Sequence, residues 1–185
     1  MAGGCTTCHN VQTDGKKTTI TLLAPAPQLC QTCHSPIEGK VKHEPYEKGQ
    51  CLFCHNPHSS NYIAHTRAPT NKLCLGCHGE RKVTAANVPL FDGKAVPVAE
   101  FEAAPKLQLD PSGRVGHPFL GHPVKGYPDP FHKGQPFSCV SCHSPHATAM
   151  EYLLTDMWKS VKVCDQCHQA VKKAAKEAKP AKTKP

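Results

Sequence analysis

The sequence predicts a mostly irregular chain with few short α-helices and little or no β structure, organised around bound prosthetic groups rather than an apolar core. Three observations lead there. The pattern Cys-x-x-Cys-His occurs six times and uses all twelve cysteines. Phe, Leu, Ile and Val are thinly spread, and aromatic residues make up 6% of the chain. Glycine (13 residues) and proline (18 residues) interrupt it throughout. Such a composition drifts toward disorder unless something else supplies the buried surface.

The six motifs are Cys5-Cys8-His9, Cys30-Cys33-His34, Cys51-Cys54-His55, Cys74-Cys77-His78, Cys139-Cys142-His143 and Cys164-Cys167-His168. This is the attachment pattern of c-type haem. Two thiols three residues apart add across the two vinyl groups of one porphyrin, and the adjoining histidine becomes the proximal iron ligand. Paired Cys-x-x-Cys elements also build four-thiolate zinc sites, and twelve cysteines also make six disulfides. Neither chemistry asks for a histidine after every pair. With 13 histidines in 185 residues, six out of six arise by chance roughly once in ten million. The sequence therefore implies six covalently bound haem c groups. These would form the core, and folding would depend on their attachment.

The formal charge of +8 ordinarily suggests a nucleic-acid or membrane-surface partner. Six haems add about 12 propionate charges, partly offset by about +1 per ferric core, which brings the holoprotein to near neutrality. The lysines then read as counter-charges and solvated surface. No basic helix, aromatic stacking platform or recognition motif accompanies them, so no nucleic-acid partner is expected. No apolar run of about 18 residues exists, so no membrane span is expected.

First cysteines are separated by 25, 23 and 25 residues within successive motif pairs, which marks an internal repeat. It gives dihaem unit one at 1–40, unit two at 41–80 and unit three at 117–170. Residues 81–116, without cysteine or histidine, form a haem-free linker or surface excursion, alternatively a docking segment. A Lys/Ala/Pro-rich tail covers 171–185. Units two and three match internally: Cys51-Leu-Phe-Cys54-His55-Asn-Pro-His58 against Cys139-Val-Ser-Cys142-His143-Ser-Pro-His146. Unit one lacks the Pro-His. Helical spacing of Met150, Leu153, Leu154, Met157, Trp158 and Val161 predicts a helix over 149–178, and each motif is expected on one or two helical turns. Thr18 to Leu23 reads as a short strand after a turn at Asp14-Gly15. The methionines read as packing residues rather than ligands.

After the six proximal histidines, seven remain: His43, His58, His65, His117, His122, His132 and His146. Seven candidates for six irons is close to a full bis-histidine set. His58 and His146 follow a haem histidine by three residues, too close to serve their own haem, and so point to a neighbour's. His43 precedes Cys51, and His117 and His122 form a repeated Gly-His-Pro before Cys139. His65 and His132 compete for the last place.

The stretches Cys51 to His78 and Cys139 to His168 resemble multihaem cytochromes c with doubled Cys-x-x-Cys-His motifs, including those of metal-reducing bacteria and the subunits of cytochrome filaments. The resemblance implies low-potential, low-spin, bis-histidine haems in a close-packed chain. It also implies export to the periplasm or outer surface; no secretion signal precedes Cys5, so the numbering reads as that of a mature or trimmed chain. The expected function is electron transfer between other redox proteins, such as quinol-oxidising or outer-membrane cytochromes, with no catalytic residues. Two other readings remain open: a filament protomer that partners with itself, and a reductase with one open haem.

Overall fold

The computed structural model describes residues 4–107, 129 and 132–155. Helices are short and β structure is limited to three two-stranded antiparallel ladders among the described residues. This is the irregular, small cytochrome-like architecture that the composition predicts.

The first ladder pairs β1 (His9–Asp14) with β2 (Lys17–Leu22), in a register that sets His9 opposite Leu22 and Val11 opposite Ile20. The β-branched run Thr18-Thr19-Ile20-Thr21 favours strand, and Gly15 at φ +57° supplies the left-handed residue of the two-residue turn. The strand expected from Thr18 is thus half of a hairpin that begins at a haem-motif histidine. Helix α1 (Ala26–Gln31) follows and carries Cys30.

In unit two, β3 (Val41–Lys42) and α2 (Glu44–Glu47) flank His43, α3 (Cys51–Cys54) holds one motif and α4 (Thr70–His78) holds the other. Cys74, Cys77 and His78 fall at i, i+3 and i+4 on α4, hence on one face. Cys5–Thr7 and Cys139–Ser141 form 3₁₀ turns. Every described motif therefore begins on a helical turn, and the sixth lies outside the described residues.

Segment 81–107 is more ordered than a linker reading suggests. It folds into β4 (Asn87–Pro89), β5 (Ala95–Pro97) and α5 (Val98–Ala103). Val88, Val96 and Phe101 are 1–3% exposed and pack against Phe53, Cys77, Val83, Leu90 and Val98. Lys106 closes the segment: its ammonium donates to the carbonyls of Cys77 and Phe101 and sits 3.6 Å from the Phe101 ring centre. The few apolar residues here are spaced to meet across a hairpin and one helical turn, a pattern too short to register as a periodic signal.

The helix expected to start at Ala149 does not. Residues 151–153 make a 3₁₀ turn with Tyr152 at φ +55° and Leu153 at φ +56°, and Leu154 forms a bridge with His143. Carbonyl demand from His143 overrides the helical periodicity there. The remainder of that expected helix, from 156 on, lies outside the described residues.

Units two and three are joined by β3 and β6 (Ala147–Thr148), which pair Val41 with Thr148 and Lys42 with Ala147. A Cβ at Gly39 would overlap the backbone nitrogen of Thr148 and lie 2.7 Å from its carbonyl oxygen. Gly39→Ala is therefore expected to push this ladder apart and cost about 1–3 kcal/mol. Gly4→Ala, which meets nothing closer than 4.0 Å, is expected to be neutral. Thermal unfolding of the two holoprotein variants checks the contrast.

Candidate haem-binding site

Residues 54–67 and 142–155 align at an offset of 88 residues, and their hydrogen bonds repeat. Asn56 N–H donates to the His65 carbonyl and Ser144 N–H to that of Leu153, at 2.8 and 2.7 Å. Arg67 N–H donates to Cys54 and Thr155 N–H to Cys142, both at 2.9 Å. The hydroxyls of Ser60 and Thr148 donate to the carbonyls of Thr66 and Leu154. In each unit a strap of chain thus folds back over the motif histidine.

Two consecutive left-handed residues shape each strap: Ala64 and His65 (φ +56° and +53°), Tyr152 and Leu153 (φ +55° and +56°). Non-glycine residues in this region cost roughly 1–3 kcal/mol each. The conformation turns a carbonyl toward the imidazole. His55 Nδ1 donates to the Ala64 carbonyl at 2.8 Å, and His143 Nδ1 to that of Tyr152 at 2.7 Å. His78 Nδ1 donates to Pro105 at 2.8 Å and His43 Nδ1 to Pro145 at 3.1 Å. A carbonyl only accepts, so each of these rings carries its proton on Nδ1 and has its lone pair on Nε2, the state that a metal requires.

Three imidazole pairs face each other. His9 and His58 have ring centres 5.8 Å apart, His43 and His78 6.0 Å, and His55 and His146 6.0 Å. Two imidazoles bonded to one metal from opposite sides, through bonds of about 2 Å, have centres roughly 6 Å apart. The residues therefore fit an iron held between two histidines. Each pair matches one motif histidine with one from the remaining seven. His58 of unit two meets unit one, and His146 of unit three meets unit two. His43 lies within the unit of its partner. Burial, and then His78, hold His43 below the usual imidazole range, and burial, and then His55, do the same for His146. Both are thus kept neutral.

Two polar clusters hold the flanks. The His43 N–H donates to the His146 carbonyl at 2.8 Å, so both rings share one backbone junction. His132 Nδ1 lies 2.9 Å from the Asp129 carboxylate, whose side chain is 2% exposed. That carboxylate also accepts from the His132 N–H at 2.9 Å and from the buried Ser141 hydroxyl at 2.6 Å. His34 and His65 have exposed rings that meet no described imidazole. His117, His122, Cys164, Cys167 and His168 lie outside the described residues.

The sulfurs of successive motifs approach one another. Burial, then Cys51 and Cys8, push the Cys30 thiol up, and Cys139 and burial push the Cys74 thiol up. Burial, then Cys77 and Cys51, push Cys54 up to about 11. These thiols stand where thioethers would be once a porphyrin is attached. Asn71 of α4 ties the fifth motif to the fourth by accepting from the Cys139 N–H at 2.9 Å. Among the described residues no three His, Cys, Asp or Glu side chains converge on a point as a bare metal ion requires. None of the described helices is long and apolar enough to cross a membrane.

Sequence reasoning missed the carbonyls of Ala64, Pro105, Pro145 and Tyr152, because a backbone acceptor has no residue type. Asp129 was legible in principle: a carboxylate three residues before a candidate ligand is the usual partner of a metal-bound imidazole.

A family model described as "Doubled CXXCH motif" matches residues 1–39, 43–83 and 129–173, more than half of the chain. No curated protein and no solved structure matches.

His146→Met replaces the ring that faces His55. Haem attachment is expected to be retained, with one haem changing ligation and rising in potential, since thioether in place of imidazole favours the ferrous state. A redox titration followed by absorption checks this, and unchanged curves would remove His146 from the ligand set.

Proposed function

Because the chain belongs to the doubled CXXCH motif family of multihaem c-type cytochromes, which bind haem c covalently and transfer electrons, we propose that it binds six haems, two per unit, and relays electrons along them between other redox proteins in the periplasm or at the outer surface. The observation that carries this reading is the opposition of imidazoles at 5.8–6.0 Å in three places, each with one proximal histidine.

In this reading the twelve cysteines fix position, the six motif histidines bind from one side, and His58, His43 and His146 bind from the other. Bound haem supplies a reversible one-electron couple at each iron, and neighbouring couples exchange electrons through space. The chain's contribution is spacing. The thiols of neighbouring motifs influence one another electrostatically, Cys30 with Cys8 and Cys51, Cys54 with Cys51 and Cys77, and Cys74 with Cys54 and Cys139, which supports a row in the order of the sequence. Rings on both sides of a metal leave no position for a substrate, which favours electron transfer over a reductase.

In a six-haem bis-histidine set, the irons at His34, His143 and His168 would take second ligands from His65, His117, His122 and His132. His132 has its Nδ1 already engaged and is the better ligand. His65 has its main chain committed to the strap and no ring acceptor among the described residues, which makes it the spare. The Pro-His histidines also argue about assembly. Each serves the unit before its own, and neither motif of unit one is followed by a Pro-His. A head-to-tail filament using the same device would need a Pro-His in unit one.

Intact mass and an absorption spectrum of the purified holoprotein test the reading together. Six haem increments with low-spin spectra unchanged by carbon monoxide are expected. Fewer increments, or a carbon monoxide adduct in the folded protein, would contradict it. Electron microscopy is expected to show uniform small particles, and filaments would overturn the discrete carrier.

A further inference from the structure

The partner on the outward ring nitrogen changes along the chain. At His55, His78, His143 and His43 it is a backbone carbonyl. At His132 it is the buried carboxylate of Asp129. At His9 it is nothing among the described residues: Nδ1 is buried and meets no hydrogen-bond partner there. The cause is local. In units two and three a left-handed pair tilts a carbonyl into the ring, whereas in unit one His9 opens a regular hairpin ladder opposite Leu22. The backbone closure common to all three is still made, with Leu23 N–H donating to Cys8 at 3.0 Å.

We infer that these partners grade the irons in potential, with the iron bound by His9 the highest and that bound by His132 the lowest among the irons of these described rings, so that electrons leave on the unit-one side. This rests on the bis-histidine reading above. A ring that donates from Nδ1 is a more basic ligand through Nε2, and a more basic ligand favours ferric over ferrous iron. Hydrogen bonding outside the coordination sphere is one of the protein's levers on haem potential. An ionised acceptor makes a bond roughly twice as strong as a neutral one, so Asp129 acts further than a carbonyl. Because His9 Nδ1 is buried, water does not replace the missing acceptor. At equilibrium one electron leaves the ferrous iron at His132 and reduces the ferric iron at His9. No proton moves and no bond is made or broken; an external one-electron donor refills the first, and an external one-electron acceptor empties the second.

Potentiometric titration of the holoprotein, followed by the resolved signals of the individual low-spin haems, tests the order. His58→Met labels the iron at His9, and the component that it raises is expected to be the highest of the parent protein; displacement of a lower one would overturn the inference. Asp129→Asn is expected to raise the lowest component by about tenfold in its electron-exchange constant, about 59 mV for one electron. Ser141→Ala releases the carboxylate from its second donor and is expected to move the same component down. Loss of fold would not produce opposite signs in the two variants, and an unmoved lowest component in both would overturn the inference. A parent protein without low-spin components would instead contradict the electron-transfer reading itself.

Discussion

The proposed architecture depends on pairs of imidazoles brought about 6 Å apart from different parts of the sequence. His58 meets His9 and His146 meets His55, each reaching back one repeat, while His43 meets His78 within unit two. A metal between each pair would crosslink segments that lie far apart in the sequence. The apolar cluster of Val88, Val96 and Phe101 is small. Fully burying one such side chain is worth about 1.5–3 kcal/mol, against an ordering cost of about 1–2 kcal/mol for every residue fixed. The polypeptide can specify positions but has little apolar surface with which to hold them. Attachment of the prosthetic group is therefore proposed as a condition of folding, in the manner of small metal-nucleated domains.

The peptide backbone does much of the chemical tuning. Left-handed Ala64-His65 and Tyr152-Leu153 are strained for side-chain-bearing residues, yet they recur at equivalent places in two repeats. Strain retained in this way at a ligand site fits a functional constraint: it presents a carbonyl that fixes the tautomer and orientation of the motif histidine. Unit one dispenses with the device and keeps only the closing bond to Cys8. The repeat is thus conserved in its skeleton and varied at the atom that touches the ligand.

Much of this was legible in the sequence, and the part that was not has a physical reason. Thiol and imidazole chemistry is local, so six motifs and their helical turns follow from spacing alone. The three-residue separation of His55 from His58 and of His143 from His146 excluded self-ligation, and the structure carries both rings to other units. Periodicity failed at Ala149, where Met150, Leu153 and Leu154 mimic a helix stripe but the chain is committed to a strap across His143. It also failed over 81–107, where apolar residues meet through a tight hairpin. Backbone acceptors and positive φ values at Ala64 or Tyr152 leave no residue-type signature, so no reading of side chains finds them.

Locating the irons tests the central claim most directly. Anomalous diffraction at the iron edge, from crystals of the holoprotein, is predicted to place one peak midway between His9 and His58, one between His43 and His78, and one between His55 and His146. Peaks displaced from those midpoints, with one face of the iron open to water, would contradict the account.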